Sequence, residues 1–193
     1  MIDTPLYREE QQFSDQELVT RTIKNKQAFT AIVDRYEAPL LRYISRLGCK
    51  EPSVARDLLQ EIFIKTFVHL NDYDHSLQFS SWIYRIAHNE TVSYFRKEKS
   101  RPGVLTRAED FFRIETIAED AGLSDQNEPR HTALEIKGAL DRLEPRYREV
   151  IVLKFFEEKS YEEISDILQI PQGTVATLIS RAKKKIKIYL EKS

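Results

Sequence analysis

The 193 residues carry 30 basic and 31 acidic side chains, a formal charge of −1, and 41% of them are hydrophobic. That apolar share is enough for real cores, while only five glycines and long helical periodicities favour an all-α protein. No apolar run approaches the roughly 18 residues of a membrane span and no signal-peptide core opens the chain, so a cytoplasmic protein is expected. The single Cys49 excludes an intramolecular disulfide or a Cys-rich zinc site. His69, His75, His88 and His131 have no helical i, i+4 pairing with one another, and no metal or other cofactor is expected.

In chain order, Ser14 with Glu17 forms a capping box that opens a short helix carrying Leu18, Val19 and Ile23. A longer helix follows, with Phe29, Ile32, Val33, Tyr36, Leu40, Ile44 and Leu47 in register. It contains Pro39, a candidate kink, and ends at Gly48 in the C-terminal glycine position. A third helix opens at Pro52-Ser53, runs to about Leu70, and places Val54, Leu58, Ile62 and Leu70 on an apolar side. Its polar side holds Asp57, Gln60, Glu61 and Lys65, which spacing alone reads as a solvated, charge-paired face.

Residues 71–79 form a polar loop with two aromatics, Tyr73 and Phe79, expected to be exposed. The next segment contains Trp82, Ile83, Tyr84, Arg85, Ile86, His88 and Asn89, then Val92, Tyr94, Phe95, Arg96, Lys97, Lys99 and Arg101. Rings interleaved with cations suit single-stranded nucleic acid, because bases stack on rings while cations follow the backbone. The alternative is that Trp82, Ile83, Ile86 and Phe95 are core, which fits most of these rings. Residues 102–130 follow, an acidic stretch broken by Pro102, Gly103, Gly122 and Pro129, with helical turns expected over 108–117. Its length suits a flexible linker between two small helical domains rather than a connection within one.

The C-terminal part contains a helix-turn-helix. Ser160 with Glu163 is a second capping box, so a helix begins near Tyr161, with Tyr161, Ile164 and Leu168 on one face. The pattern stops at Gln169-Ile170-Pro171, because proline has no amide and biases the preceding residue away from helix. Apolar spacing resumes at Val175, Leu178, Ile179, Ala182 and Ile186, with Thr177, Ser180, Arg181 and Lys184 opposite. In this motif the second helix enters the major groove, so Thr174, Thr177 and Arg181 are candidate base readers. Lys183, Lys185 and Lys187 are candidate phosphate contacts. The alternative is a helical hairpin with a solvated lysine tail.

The near-zero charge is uneven along the chain. From Gln172 onward six basic residues face one acidic residue, so the positive field is local. Phosphate neutralisation dominates non-specific affinity, and such a chain should bind duplex DNA weakly by itself. That balance calls for a partner.

Four ordered segments carry a family resemblance: 57–63 (DLLQEIF), 79–89 (FSSWIYRIAHN), 143–151 (LEPRYREVI) and Ser160-Tyr161-Glu162-Glu163-Ile164 leading to Gly173-Thr174-Val175. Together they closely resemble bacterial RNA polymerase sigma factors of the extracytoplasmic-function group, over about residues 14–101 and 131–190. The resemblance implies a non-catalytic transcription initiation factor. Its domains would span residues 1–101, which bind core polymerase and the −10 element, and 131–193, the helix-turn-helix that reads the −35 element, with 102–130 as linker.

Residue by residue, the resemblance assigns Asp57, Gln60, Glu61, Ile64 and Lys65 to the clamp helices of the polymerase largest subunit, reversing the solvated-face reading. It assigns Asn71, Tyr73, Asp74, Phe79, Trp82, Arg85, Asn89, Arg96 and Lys97 to the non-template −10 strand, with a flipped base held by the loop. It assigns Thr174, Ala176, Thr177, Ser180, Arg181, Lys183 and Lys184 to the −35 element, and gives the same domain a contact with the flap of the second-largest subunit. The linker would pass near the active-site channel and RNA exit path, and an anti-sigma factor, often membrane-bound, would be the antagonist. Ala176 and Leu178 stand where the family usually has basic residues, Gln169 where glycine is common, and Ser93 where aspartate is frequent. Lost cations remove phosphate or guanine contacts and point to weak or unusual −35 recognition.

Two other classes fit the residues less well. A stand-alone helix-turn-helix operator-binding regulator would need a sensor or dimerisation domain, and residues 14–101 show neither receiver-like strands nor a ligand-pocket pattern. A helical enzyme using Asp57 and Glu61 lacks a second convergent acid, base or metal cluster.

Overall fold

The computed structural model describes residues 13–99 and 133–191, and every regular element among them is helical. The N-terminal bundle comprises α1 (Asp15–Lys24), α2 (Phe29–Arg46), α3 (Pro52–Val68) and α4 (Phe79–Lys99), with short 3-10 turns at Lys26–Ala28 and Leu70–Asp72. The C-terminal bundle comprises α5 (Ala133–Asp141), α6 (Pro145–Ile151), a π turn at Val152–Phe156, α7 (Tyr161–Leu168) and α8 (Gln172–Leu190). The expected helical turns over 108–117, and the rest of 102–130, lie outside the described residues, as does His131.

Local chemistry sets the helix ends. Ser14 Oγ accepts from the Glu17 amide at 3.3 Å while the Ser14 amide donates to Glu17 Oε2 at 2.7 Å, so two orphan donors are satisfied at the start of α1. Within α1 the buried positions are Leu18, Val19 and Thr22, and the Thr22 hydroxyl satisfies itself on the Leu18 carbonyl at 2.8 Å. Ile23, expected on the apolar face, is instead 48% exposed. Helix α2 continues through Pro39 as one element and ends at Arg46, and Gly48, just past its Leu47 cap, has a φ of +115° that strains any side chain. A Cβ there would also meet Arg148 Nη1 at 2.9 Å, so the glycine admits a side chain from the other bundle.

The α3 core face is rotated from expectation. Ala55, Leu59, Ile62 and Thr66 are buried, whereas Val54 and Leu58 are only half-buried. Leu70 is buried, but from the 3-10 turn after the helix. In the N-terminal bundle α2 packs on α1, α3 and α4, closing a core of Leu18, Val19, Ile32, Leu40, Ile44, Ile62 and Ile83. Burying each such side chain stabilises the fold by about 1.5–3 kcal/mol relative to exposure.

In the C-terminal bundle α8 crosses α5, α6 and α7, and its Val175, Ile179, Ala182, Ile186 and Leu190 are buried at helical spacing. Residues 152–156 widen into an underwound π turn, with the Glu157 amide bonded to the Val152 carbonyl at 3.1 Å. The two bundles dock. Helix α4 packs along α7, and α2 meets the π turn.

Candidate nucleic-acid and polymerase interfaces

Asp57, Gln60, Glu61 and Ile64 share one face of α3, and all four are exposed. Val68, one turn beyond Ile64, belongs with them; these two apolar side chains are 62% and 57% exposed. Acidic groups around uncovered aliphatic surface mark a docking face better than a solvated helix side. Val68 was missed because the sequence pattern counted only the polar positions. The Glu61 to Lys65 pairing expected from spacing is weak at 4.0 Å, because Lys65 Nζ sits 2.7 Å from Glu90 Oε2 on α4. Lys65 is therefore half-buried at the edge of the face.

The loop before α4 is ordered by its own side chains. Asp74 Oδ1 accepts from the Ser76 amide at 2.9 Å, and the Tyr73 hydroxyl donates to the Leu77 carbonyl. The expectation that Tyr73 and Phe79 are exposed is corrected: they are 4% and 2% exposed. Phe79 packs edge-on to Tyr36 and Tyr73 with centroids 5.7 and 5.4 Å away, and tilts on Trp82 at 5.6 Å. These rings build the floor of the loop, since three neighbours compete successfully with water for each face. The exposed groups of the loop are Asn71, Asp72, Asp74, His75, Ser76 and Gln78.

Along α4 the side chains Trp82, Arg85, Asn89 and Arg96 share one side, with Asn89, Arg96 and the neighbouring Lys97 exposed. Trp82 and Arg85 are half-buried, and Nε and Nη2 of Arg85 have no hydrogen-bond partner. Of the candidate core side chains of α4, Ile83 is fully buried, while Trp82, Ile86 and Phe95 pack half-buried against the core.

The helix-turn-helix begins as expected. Ser160 Oγ accepts from the Glu163 amide at 3.1 Å, and the Ser160 amide donates to Glu163 Oε2 at 2.8 Å. Partial burial pushes the Glu163 carboxyl up, but the Ser160 amide and Lys159 outweigh it and hold the group below the usual glutamate range. The turn passes through Gln169 at φ +54°, the left-handed region, which accounts for glycine being common there. On α8, Thr174, Thr177, Ser180, Arg181 and Lys184 form one exposed face. Ala176 and Lys183 lie to its side, half-buried, with Lys183 Nζ 5.1 Å from the Phe155 ring. Lys185, a candidate phosphate contact, bonds Glu144 at 3.3 Å and covers the Tyr147 ring in the chain without DNA. Lys187 lies 4.0 Å from Glu191.

Sequence reasoning also missed the polar seam between the bundles, because its partners lie 61 to 111 residues apart. The signal in the sequence was that Glu149 and Glu157 flank the largely apolar run 150–156, most of which is buried.

Both bundles match families of known proteins. Residues 32–101 match the family model for sigma-70 region 2, and residues 133–186 match that for sigma-70 region 4. The ECF RNA polymerase sigma factor SigW of Bacillus subtilis is 32% identical over 179 residues, covering 86% of this chain and 90% of SigW. The ECF RNA polymerase sigma-E factor of Escherichia coli is 31% identical over 184 residues, covering 91% and 94%. Among solved structures, CnrH in complex with the cytosolic domain of CnrY aligns with a TM-score of 0.68 at 23% identity, covering 93% of this chain and 98% of CnrH. The sigma factor RpoE bound to the anti-sigma factor NepR, from Bartonella quintana, aligns at 0.63 and 22% identity over 84% and 96% of the two chains. The chain therefore belongs to the extracytoplasmic-function group of bacterial sigma-70 RNA polymerase sigma factors.

Proposed function

We propose that this sigma factor binds core RNA polymerase through the α3 face, directs it to promoters and helps open them. The observation that carries the reading is the exposed cluster of Asp57, Gln60, Glu61, Ile64 and Val68, which combines uncovered apolar area with carboxylates. Lys65 borders that contact. Residues 1–101 bind polymerase and the −10 element, 102–130 link past the active-site channel, and 131–193 bind the −35 element and the polymerase flap.

The non-template −10 strand lies over Asn71, Asp74 and the Trp82, Arg85, Asn89, Arg96 and Lys97 side of α4. Tyr73 and Phe79 support this surface from beneath. The unpaired Nε and Nη2 of half-buried Arg85 are themselves buried, so they reach a phosphate only when the side chain swings outward. The −35 duplex meets Thr174, Thr177, Ser180, Arg181 and Lys184, with Ala176 and Lys183 at the margin. Five small or singly charged groups make a modest reader, and polymerase attachment supplies the remaining affinity.

An anti-sigma factor is the expected antagonist, since both structural relatives are held in complexes and one partner is named as an anti-sigma factor. No described helix is long and apolar enough to cross a membrane, and the proposed site of action is the cytoplasm, where polymerase works.

Run-off transcription with purified core polymerase and a genomic promoter library tests the reading. Specific initiation dependent on the chain is expected. Failure to initiate, together with tight duplex binding by the chain alone at physiological salt, would establish a stand-alone operator-binding regulator instead.

A further inference from the structure

Among the described residues, Gly48 and Gly173 stand in opposite situations. Gly48 has a φ of +115° and no room for a Cβ, which would meet Arg148 Nη1 at 2.9 Å, so the fold itself requires it. Gly173 lies in the first turn of α8, and a Cβ there would meet no atom within 4 Å. Glycine is also a poor helix former, because it loses the most backbone freedom on folding. Nothing inside the molecule favours glycine over alanine at this position.

Its place on the helix supplies a reason. Gly173, Thr177, Ser180 and Lys184 fall on one stripe of α8, and all four are exposed. Thr174 and Arg181 flank the stripe, also exposed, while Val175, Ile179 and Ala182 are buried on the opposite side. Gly173 is therefore the head of the proposed −35 face. The side chains that follow it, Thr174, Thr177 and Ser180, end at their γ atoms, and the first cation, Arg181, comes about two turns later. Groups this short reach base edges only when the helix backbone itself lies against the groove.

Clearance in that position is small. The major groove is about 12 Å wide and an α-helix with its side chains about 10–12 Å across, so a helix that enters the groove fills it. A methyl added at the head of the stripe would stand between α8 and the duplex. Gly173 also fixes its neighbour one turn on, since the Thr177 hydroxyl donates to the Gly173 carbonyl at 2.8 Å. With its hydrogen committed, Thr177 offers lone pairs and a methyl group. These suit the exocyclic amine of adenine or cytosine, or the methyl of thymine.

We propose that Gly173 sets the depth at which α8 enters the −35 duplex: its missing side chain lets the backbone close on the groove, so that Thr174 and Thr177 meet base edges. This rests on the reading of α8 as the −35 helix. Gly173 is a positioning residue and adds no base contact of its own. Close seating substitutes for the cations that Ala176 and Leu178 do not supply.

Titration of holoenzyme, assembled from core polymerase and the full chain, onto a promoter selected by run-off transcription tests this, alongside the same promoter with its −35 element scrambled. Gly173→Ala should weaken binding to the intact promoter by about tenfold, the equivalent of one lost base contact, and leave the scrambled promoter unchanged. Gly173→Leu should weaken it further. The free Gly173→Ala chain should melt at the parental temperature or up to about 4 degrees above it, because alanine favours the helix. Thr177→Val, which removes the hydroxyl and keeps the shape, should weaken the parent holoenzyme and add little to Gly173→Ala, where the contact is already out of reach.

Gly138→Ala on α5 makes the same substitution at a second site where a Cβ meets nothing within 4 Å. It should show the same stability and bind the promoter like the parent. Parental affinity in both Gly173 variants would overturn the proposal. An equal loss in Gly138→Ala would trace the effect to helix stability and overturn it as well, and a lowered melting temperature in Gly173→Ala would make the glycine a requirement of the fold. Failure of the underlying −35 reading shows separately, as a parent holoenzyme that binds the intact and scrambled promoters alike.

Discussion

The Tyr43 hydroxyl donates to Glu149 Oε1 at 2.6 Å, joining side chains 106 positions apart in the sequence. Tyr43 is fully buried, and burial followed by the Glu149 charge holds its hydroxyl protonated well above the ordinary tyrosine range. Glu149→Ala leaves that hydroxyl and His88 without their shared acceptor, and should cost about 2–4 kcal/mol in urea denaturation. Tyr43→Phe should cost about 1–2 kcal/mol, because Glu149 keeps His88. The double variant should be less destabilised than the sum of the two. Strict additivity would show that the bond does not couple the bundles.

Gln169→Gly is expected to stabilise the chain. Gln169 sits at φ +54°, where a Cβ crowds the following carbonyl and glycine does not. Relief of about 1 kcal/mol is partly offset by loss of the exposed Gln169 Nε2 bond to the Asp166 carbonyl. A melting temperature higher by a few degrees is expected. An unchanged or lower value would mean the turn tolerates glutamine without strain.

Phe79→Ala should unfold the loop floor rather than selectively impair melting of promoter DNA. Phe79 is 2% exposed within the Tyr36, Tyr73 and Trp82 cluster, and truncation of such a ring costs about 3–5 kcal/mol. Thermal denaturation measures this. A variant of parental stability that forms no open complex would restore the direct strand contact assigned by sequence.

Glu61→Lys should leave stability within about 0.5 kcal/mol, because the side chain is exposed and its Lys65 contact is only 4.0 Å long. Core polymerase affinity should fall by tenfold or more if the carboxylate faces a cationic partner at a desolvated contact. Equal affinity in a binding titration would remove Glu61 from the interface.

Much of the fold was legible because it rests on local rules. Both capping boxes, at Ser14 and Ser160, formed as spacing required, since the groups involved are three residues apart and need no tertiary help. The exposed stripe of Thr174, Thr177, Ser180, Arg181 and Lys184 followed directly from helical period. The register of α3 was misread at Val54 and Leu58, because its apolar residues surround the helix and leave Ile64 and Val68 uncovered. Local pattern cannot distinguish an apolar residue kept for the core from one kept for a partner.

The helical elements, the helix-turn-helix and the family are all readable from the chain, because caps, periods and ordered motifs are short-range features. Long-range packing makes Tyr73 and Phe79 floor rather than surface, and brings Lys185 to Glu144. It alone joined Tyr43, Arg46, Tyr84 and His88 to Glu149 and Glu157. The physical reason is that burial and ion pairing depend on which surfaces meet, and those surfaces come from segments up to 111 residues apart.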